Sequence, residues 1–96
     1  MKLNKVKIAQ THKLKILPEF FKAAARGVKH FEIRKNDRDY KVGDQIELKE
    51  HDGEMFTGNV IKGEITYITD FEQQEGYIVF GFKKWTIING QSWVDR

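Results

Sequence analysis

The sequence predicts a single α+β domain, mainly β: a small barrel with one short helix between its first strands. Three observations predict it. Apolar and polar residues alternate with a period of two in one segment after another, as they do along half-buried strands. One stretch alone has both a helix start, at Pro18, and a helix stop, at Gly27. Finally, 96 residues with no repeat, no low-complexity run and no Pro/Gly/Ser linker make one compact unit.

The elements follow in order. Residues 1–11 alternate only weakly, Lys5 and Lys7 against Val6 and Ile8, and are either an arm or an extra strand. The barrel is expected over residues 12–84. From Thr11 to Leu17, His12, Leu14 and Ile16 fall on the inward side and Lys13 and Lys15 on the other. Pro18 has its φ already set for the first helical turn, where its missing N–H costs nothing. Glu19 suits the positive helix end, Phe20, Phe21 and Ala23 to Ala25 supply an apolar stripe, and Gly27 fits the left-handed stop. Lys29 to Lys35 returns to strand periodicity, with Phe31 and Ile33 on one face and His30, Glu32 and Arg34 on the other.

Everything beyond reads as β. Asn36 to Asp39 is a turn-rich loop and Val42-Gly43-Asp44 a second turn. Gln45 to Glu50 places Ile46 and Leu48 inward, and Asp52-Gly53 joins it by a hairpin to a strand starting near Met55. That strand runs to Thr69, and Gly58 and Gly63 are expected to bulge or bend it so that the sheet can curl. Tyr77 to Phe82 is apolar on both faces and reads as a central strand buried on both sides. Phe20, Phe21, Phe31, Phe80 and Phe82 are assigned to the core. Residues 85–96 are a tail or a hairpin turning at Asn89-Gly90, whose tryptophans offer a weak self-association patch.

Composition narrows the function. There is no cysteine, hence no disulfide and no thiolate metal site. No apolar run approaches the roughly 20 residues of a membrane span, and the lysine-bearing start lacks the apolar stretch of a secretory signal. A cytoplasmic protein with no membrane partner is expected. His12, His30 and His51 do not have ligand spacing, so neither metal nor cofactor is called for. Charge is divided along the chain: residues 1–41 carry 12 Lys/Arg against 4 Asp/Glu, and residues 42–96 carry 5 against 10. A basic first half of this kind attracts phosphates if it folds into one face.

The segment that carries chemistry is Gly27-Val28-Lys29-His30-Phe31-Glu32-Ile33-Arg34. Glu32 and Arg34, two apart on a strand, share a face with Cα atoms roughly 6.6–6.8 Å apart. Lys29 adds a mobile point charge and Arg34 a rigid fork, both suited to phosphate. Glu32 can accept from a base's amino group or orient the two cations. The same pattern also describes an ordinary solvated strand face.

Gly27-x-Lys29-x-x-Glu32-x-Arg34, after a short helix and before a Val42-Gly43-Asp44 turn, resembles the signature of ASCH domains, which have a PUA-like β-barrel. More closely, His12 to Pro18, Phe31 to Asp39 and Val42 to Asp44 resemble a small ASCH-like family of bacterial and phage proteins, over about His12 to Phe82. The resemblance implies a barrel with a cleft lined by the signature and RNA or a nucleotide-like ligand as partner. Lys29, Glu32, Arg34, Lys35, Arg38, His12 and Lys15 are the candidate contacts. Some ASCH-fold proteins are amidohydrolases acting on N4-acetylcytidine. They use the motif lysine, a threonine at the position of Glu32, and a later glutamate. Here Lys29 matches and the threonine is absent, while Glu72 and Glu75 both remain open as the later acid. Lys29 and Glu32 are therefore the catalytic candidates only if the chain is an enzyme. A third alternative is a non-catalytic adaptor binding protein through its aromatic tail. Two further alternatives stay open at this level. His12 is either a satisfied core-edge histidine or a cleft residue, and Tyr40 and Tyr67 either pack or stack a base.

Overall fold

The structure, a computed structural model, describes residues 9–90. Five strands and one helix follow in the order β1 (Thr11–Ile16), α1 (Pro18–Ala25), β2 (Phe31–Lys35), β3 (Gln45–His51), β4 (Phe56–Thr69) and β5 (Tyr77–Ile88). The strands form one sheet ordered β1-β3-β4-β5-β2, with β1 parallel to β3 and every other pair antiparallel. The sheet curls into a half-barrel, so the α+β, mainly β class holds.

The β3–β4–β5 meander is local. Its first turn is held by Asp52, whose Oδ1 accepts from the N–H groups of Glu54 (2.9 Å) and Met55 (3.0 Å). The curl comes from β4, whose register with β5 slips between Lys62 and Gly63 and again between Ile65 and Tyr67. At Gly63 the strands approach so closely that a Cβ would lie 2.3 Å from the Lys83 carbonyl oxygen. Gly63→Ala is therefore expected to destabilise the fold by about 1–3 kcal/mol, the usual range for overpacking, read as a lower urea midpoint at unchanged slope.

The inward face carries Leu14 and Ile16 of β1, Ile46 and Leu48 of β3, Ile61 and Ile65 of β4, and Ile78, Phe80 and Phe82 of β5. Helix α1 closes one side of this core with Phe21 and Ala24, three apart and hence on one face. It stops where expected: Gly27 has φ +80°, and the N–H groups of Val28 and Lys29 return to the Ala23 carbonyl.

Three assignments are corrected. Strand β2 is turned the other way round: Glu32 is buried, whereas Phe31 and Ile33 are 45% and 56% exposed. Phe20 also faces outward, so Phe20 and Phe31 leave the core while Phe21, Phe80 and Phe82 remain in it. Alternation defines two faces without saying which is inside, and here a network of charges satisfied internally decides it. From Tyr77 to Phe82 one face of β5 is buried and the other half-buried, not buried on both, and from Lys83 onward neither face is buried. Residues 85–88, set apart in the sequence as tail or hairpin, continue β5, with Thr86, Ile87 and Ile88 opposite Lys62, Ile61 and Val60. The returning arm of that hairpin with Trp93, like residues 1–8, lies outside the described residues, while Trp85 of the self-association patch is exposed on β5. Among the described residues no helix is long and apolar enough to cross a membrane.

Candidate functional site

Strands β1 and β2 are the two edges of the sheet, and the curl brings them face to face. They do not pair through a backbone ladder. Instead Arg34 Nη2 donates to the Lys15 carbonyl (2.7 Å) and Arg38 Nη1 to the Lys13 carbonyl (3.1 Å). In the parallel β1–β3 pair alternate carbonyls point away from the partner strand, and guanidinium groups reaching across from the other edge satisfy these two. Lys15, Lys29, Arg34 and Arg38 thus stand along one seam.

A cleft of about 470 Å³ opens in the seam at the end nearest α1, between Lys15–Leu17, Phe20 of the helix, Lys29, and Phe31–Arg34. Its walls are largely apolar, with exposed Leu17, Phe20, Phe31 and Ile33. Its charged part is a triad. Glu32 Oε1 accepts from Arg34 Nε at 2.9 Å, with Arg34 Nη2 in ion-pair contact at 2.9 Å, and Oε2 accepts from Lys29 Nζ at 2.5 Å. Lys29 Nζ also donates to the Phe31 carbonyl and lies 5.0 Å from the Phe31 ring centroid and 5.7 Å from that of Phe20. The Glu32 side chain is 6% exposed, against 17% for Lys29 and 24% for Arg34. Cations face both oxygens of this deeply placed carboxylate, which offsets the cost of burying it. The arrangement is a fixed cationic surface, net positive by one charge, beside two exposed aromatic rings. Chemically it can hold an anionic or acceptor-bearing group against a flat apolar one.

Lys29, Glu32, Arg34 and Lys15 all line the cleft, whereas the spacing brings together only Lys29, Glu32 and Arg34. Lys35 lies on the outward face of β2 and Arg38 further along the seam, and neither lines the cleft. His12 is not there either. It is 4% exposed inside the half-barrel, its Nε2 donating to Asp44 Oδ2 at 2.7 Å and its ring 4.6 Å from that of Tyr40. Tyr40 in turn packs 5.3 Å from Phe80, so it is a core residue and cannot stack a base. Burial raises the Tyr40 hydroxyl above the usual tyrosine range, against the pull of Arg34 and Arg38. Glu72 and Glu75 lie in the β4–β5 connection, where Gly76 accepts from Asn36, at the end of β2 away from Lys29. His12, His30 and His51 stay apart, and among the described residues no three His, Cys, Asp or Glu side chains form a metal-binding group.

One participant escaped the sequence, and another was left open there. Asp44, read only as a turn residue, is the buried partner of His12; an inward histidine signals that some partner must exist without naming it. Tyr67, 64% exposed, stands opposite Gly81, which is also opposite Phe31. Residues directly opposite share a sheet face, so Phe31 and Tyr67 are exposed rings in one row, with a glycine between them.

Residues 11–82 match the family described as "Domain of unknown function (DUF3850)". That span runs from the first residue of β1 to the middle of β5 and includes the whole seam. The chain belongs to the DUF3850 family. This DUF3850 domain is 34% identical over 73 residues to the "Uncharacterized 12.9 kDa protein in GpA 3'region" of Escherichia phage P2, covering 75% of this chain and 67% of the phage protein.

Proposed function

We propose that this DUF3850 domain is an ASCH-type, PUA-like module of the cytoplasm that binds single-stranded RNA in the β1–β2 seam. The observation that carries the reading is the juxtaposition of exposed Phe31 and Phe20 with the Lys29–Glu32–Arg34 triad and Lys15 around one cleft. Single-strand binders combine a basic track for phosphates with aromatic faces on which bases stack. The cleft is within the size range of small-ligand sites, and Tyr67 offers a second stacking position across Gly81. In this reading Lys15 holds phosphate, Lys29 meets the bound nucleotide with its one remaining N–H, Arg34 fixes the triad and the seam, and Glu32 positions the cations. An amidohydrolase acting on acylated cytidine is less well supported: both Glu32 oxygens are engaged, and Glu72 and Glu75 lie at the other end of β2.

The test is fluorescence anisotropy with labelled single-stranded RNA over a salt series. Affinity is expected to fall as salt rises, with a log–log slope of roughly 0.7 per neutralised phosphate. Lys15→Ala should reduce that slope by about one phosphate's worth, and Phe31→Ala should weaken binding by about 1–3 kcal/mol, the value of one stacked base. Absence of binding at low salt, or both variants binding like the parent, would overturn the reading.

A further inference from the structure

The polar lining of the cleft is one-sided. Both Glu32 oxygens already accept from Lys29 and Arg34, and the carbonyls of Phe31 and Lys15 accept from the same two cations. What the side chains leave for a ligand is donors. Lys29 has a third N–H beyond those given to Phe31 and Glu32. Arg34 Nη1 has no acceptor among the described residues, and the Lys15 ammonium stands at the edge of the cleft. Because His30 pairs with Phe82, strand alternation turns one main-chain acceptor, the Ile33 carbonyl, toward the same open edge.

Resting on the RNA-binding reading, we propose that this cleft selects keto bases, uracil and guanine, over the amino bases cytosine and adenine. Stacking on Phe31 or Phe20 accepts any base, so the choice falls to the base edge. At the major-groove edge uracil presents O4 and guanine O6 with N7, whereas cytosine presents an amino donor and adenine an amino donor beside N7. Lys29 Nζ stands over both rings, so a base that shares either ring face with it meets the ammonium edge-on. Toward a keto oxygen it completes a charge-assisted hydrogen bond. Toward an amino group it meets donor with donor, and a polar group taken out of water is left unpaired. Glu32, the one side chain able to welcome an amino group, is closed to it on both oxygens.

The experiment compares labelled oligouridine and oligocytidine of equal length on the full chain at one low salt concentration. Oligouridine is expected to bind tighter by roughly 5- to 100-fold, the range of one good edge contact. Lys29→Met, which keeps the stem and removes the donors, should lose most of that ratio while still melting cooperatively. Equal or tighter binding of oligocytidine overturns the selectivity and leaves RNA binding standing, and this comparison needs no variant. An undiminished preference in a folded Lys29→Met protein also overturns it. Should neither oligonucleotide bind, RNA binding itself falls and the selectivity with it.

Discussion

Replacing Glu32 with alanine is expected to cost the fold about 3–5 kcal/mol, the loss seen when one partner of a buried ion pair is removed. The physical cause is what remains. Lys29 and Arg34, both largely buried, would face each other with no anion between them, and the Arg34 guanidinium would keep only its bond to Lys15 in the seam. For a domain of this size the loss corresponds to a fall in melting temperature of roughly 15–30 °C, a large part of the 5–15 kcal/mol that usually holds a domain together. Glu32→Gln keeps one acceptor oxygen and should fall between the two, separating hydrogen bonding from charge. An alanine variant melting within a few degrees of the parent would show that the cations rearrange into solvent and that the triad is not a fixed surface.

Asp44→Ala should be nearly as damaging, at about 3 kcal/mol or more, because one carboxylate satisfies several buried donors at once. It accepts from His12 Nε2 (2.7 Å) and from the main-chain N–H groups of Lys41 (3.1 Å) and Gln10 (3.2 Å), tying the start of β1 to the entry of β3. The same contacts make the fold sensitive to acid. Burial pushes the Asp44 carboxyl up, but the hydrogen bonds from His12, Gln10 and Lys41 outweigh it and hold the group below its ordinary value of 3.8. A depressed carboxyl contributes stability that is fully present above the unfolded-state value and is lost as pH falls through the folded one. Urea midpoints measured from neutrality down to about pH 3 should therefore show Asp44→Asn well below the parent at neutrality, with the gap narrowing below about pH 4. A gap that does not change with pH would remove the charge on Asp44 as the cause.

Much of the fold was legible because its signals are local. The Pro18-to-Gly27 helix, the Asp52-Gly53 hairpin and the inward sides of β1 and β3 each rest on a few neighbouring residues. The triad was partly legible too, since Glu32 and Arg34 two apart on a strand must share a face. The inversion of β2 was hidden because Phe31 and Ile33 look like core and Glu32 and Arg34 look like surface. Only the non-local meeting of β1 with β2 makes the opposite arrangement the better one. The His12–Asp44 pair was hidden for a related reason: parallel pairing of β1 with β3 across an intervening helix and strand sets no local pattern. Tyr67 could be identified as an aromatic of interest, but its row with Phe31 depends on a register that slips at a bulge.

The arginines in the seam have a second consequence, for what happens between molecules. An unpaired sheet edge invites a strand from another chain, and β1 would be such an edge. Arg34 and Arg38 occupy the Lys15 and Lys13 carbonyls that an incoming strand would need, and they set positive charge along the row. The side chains that shape the cleft thus also keep one copy of the domain from templating the next.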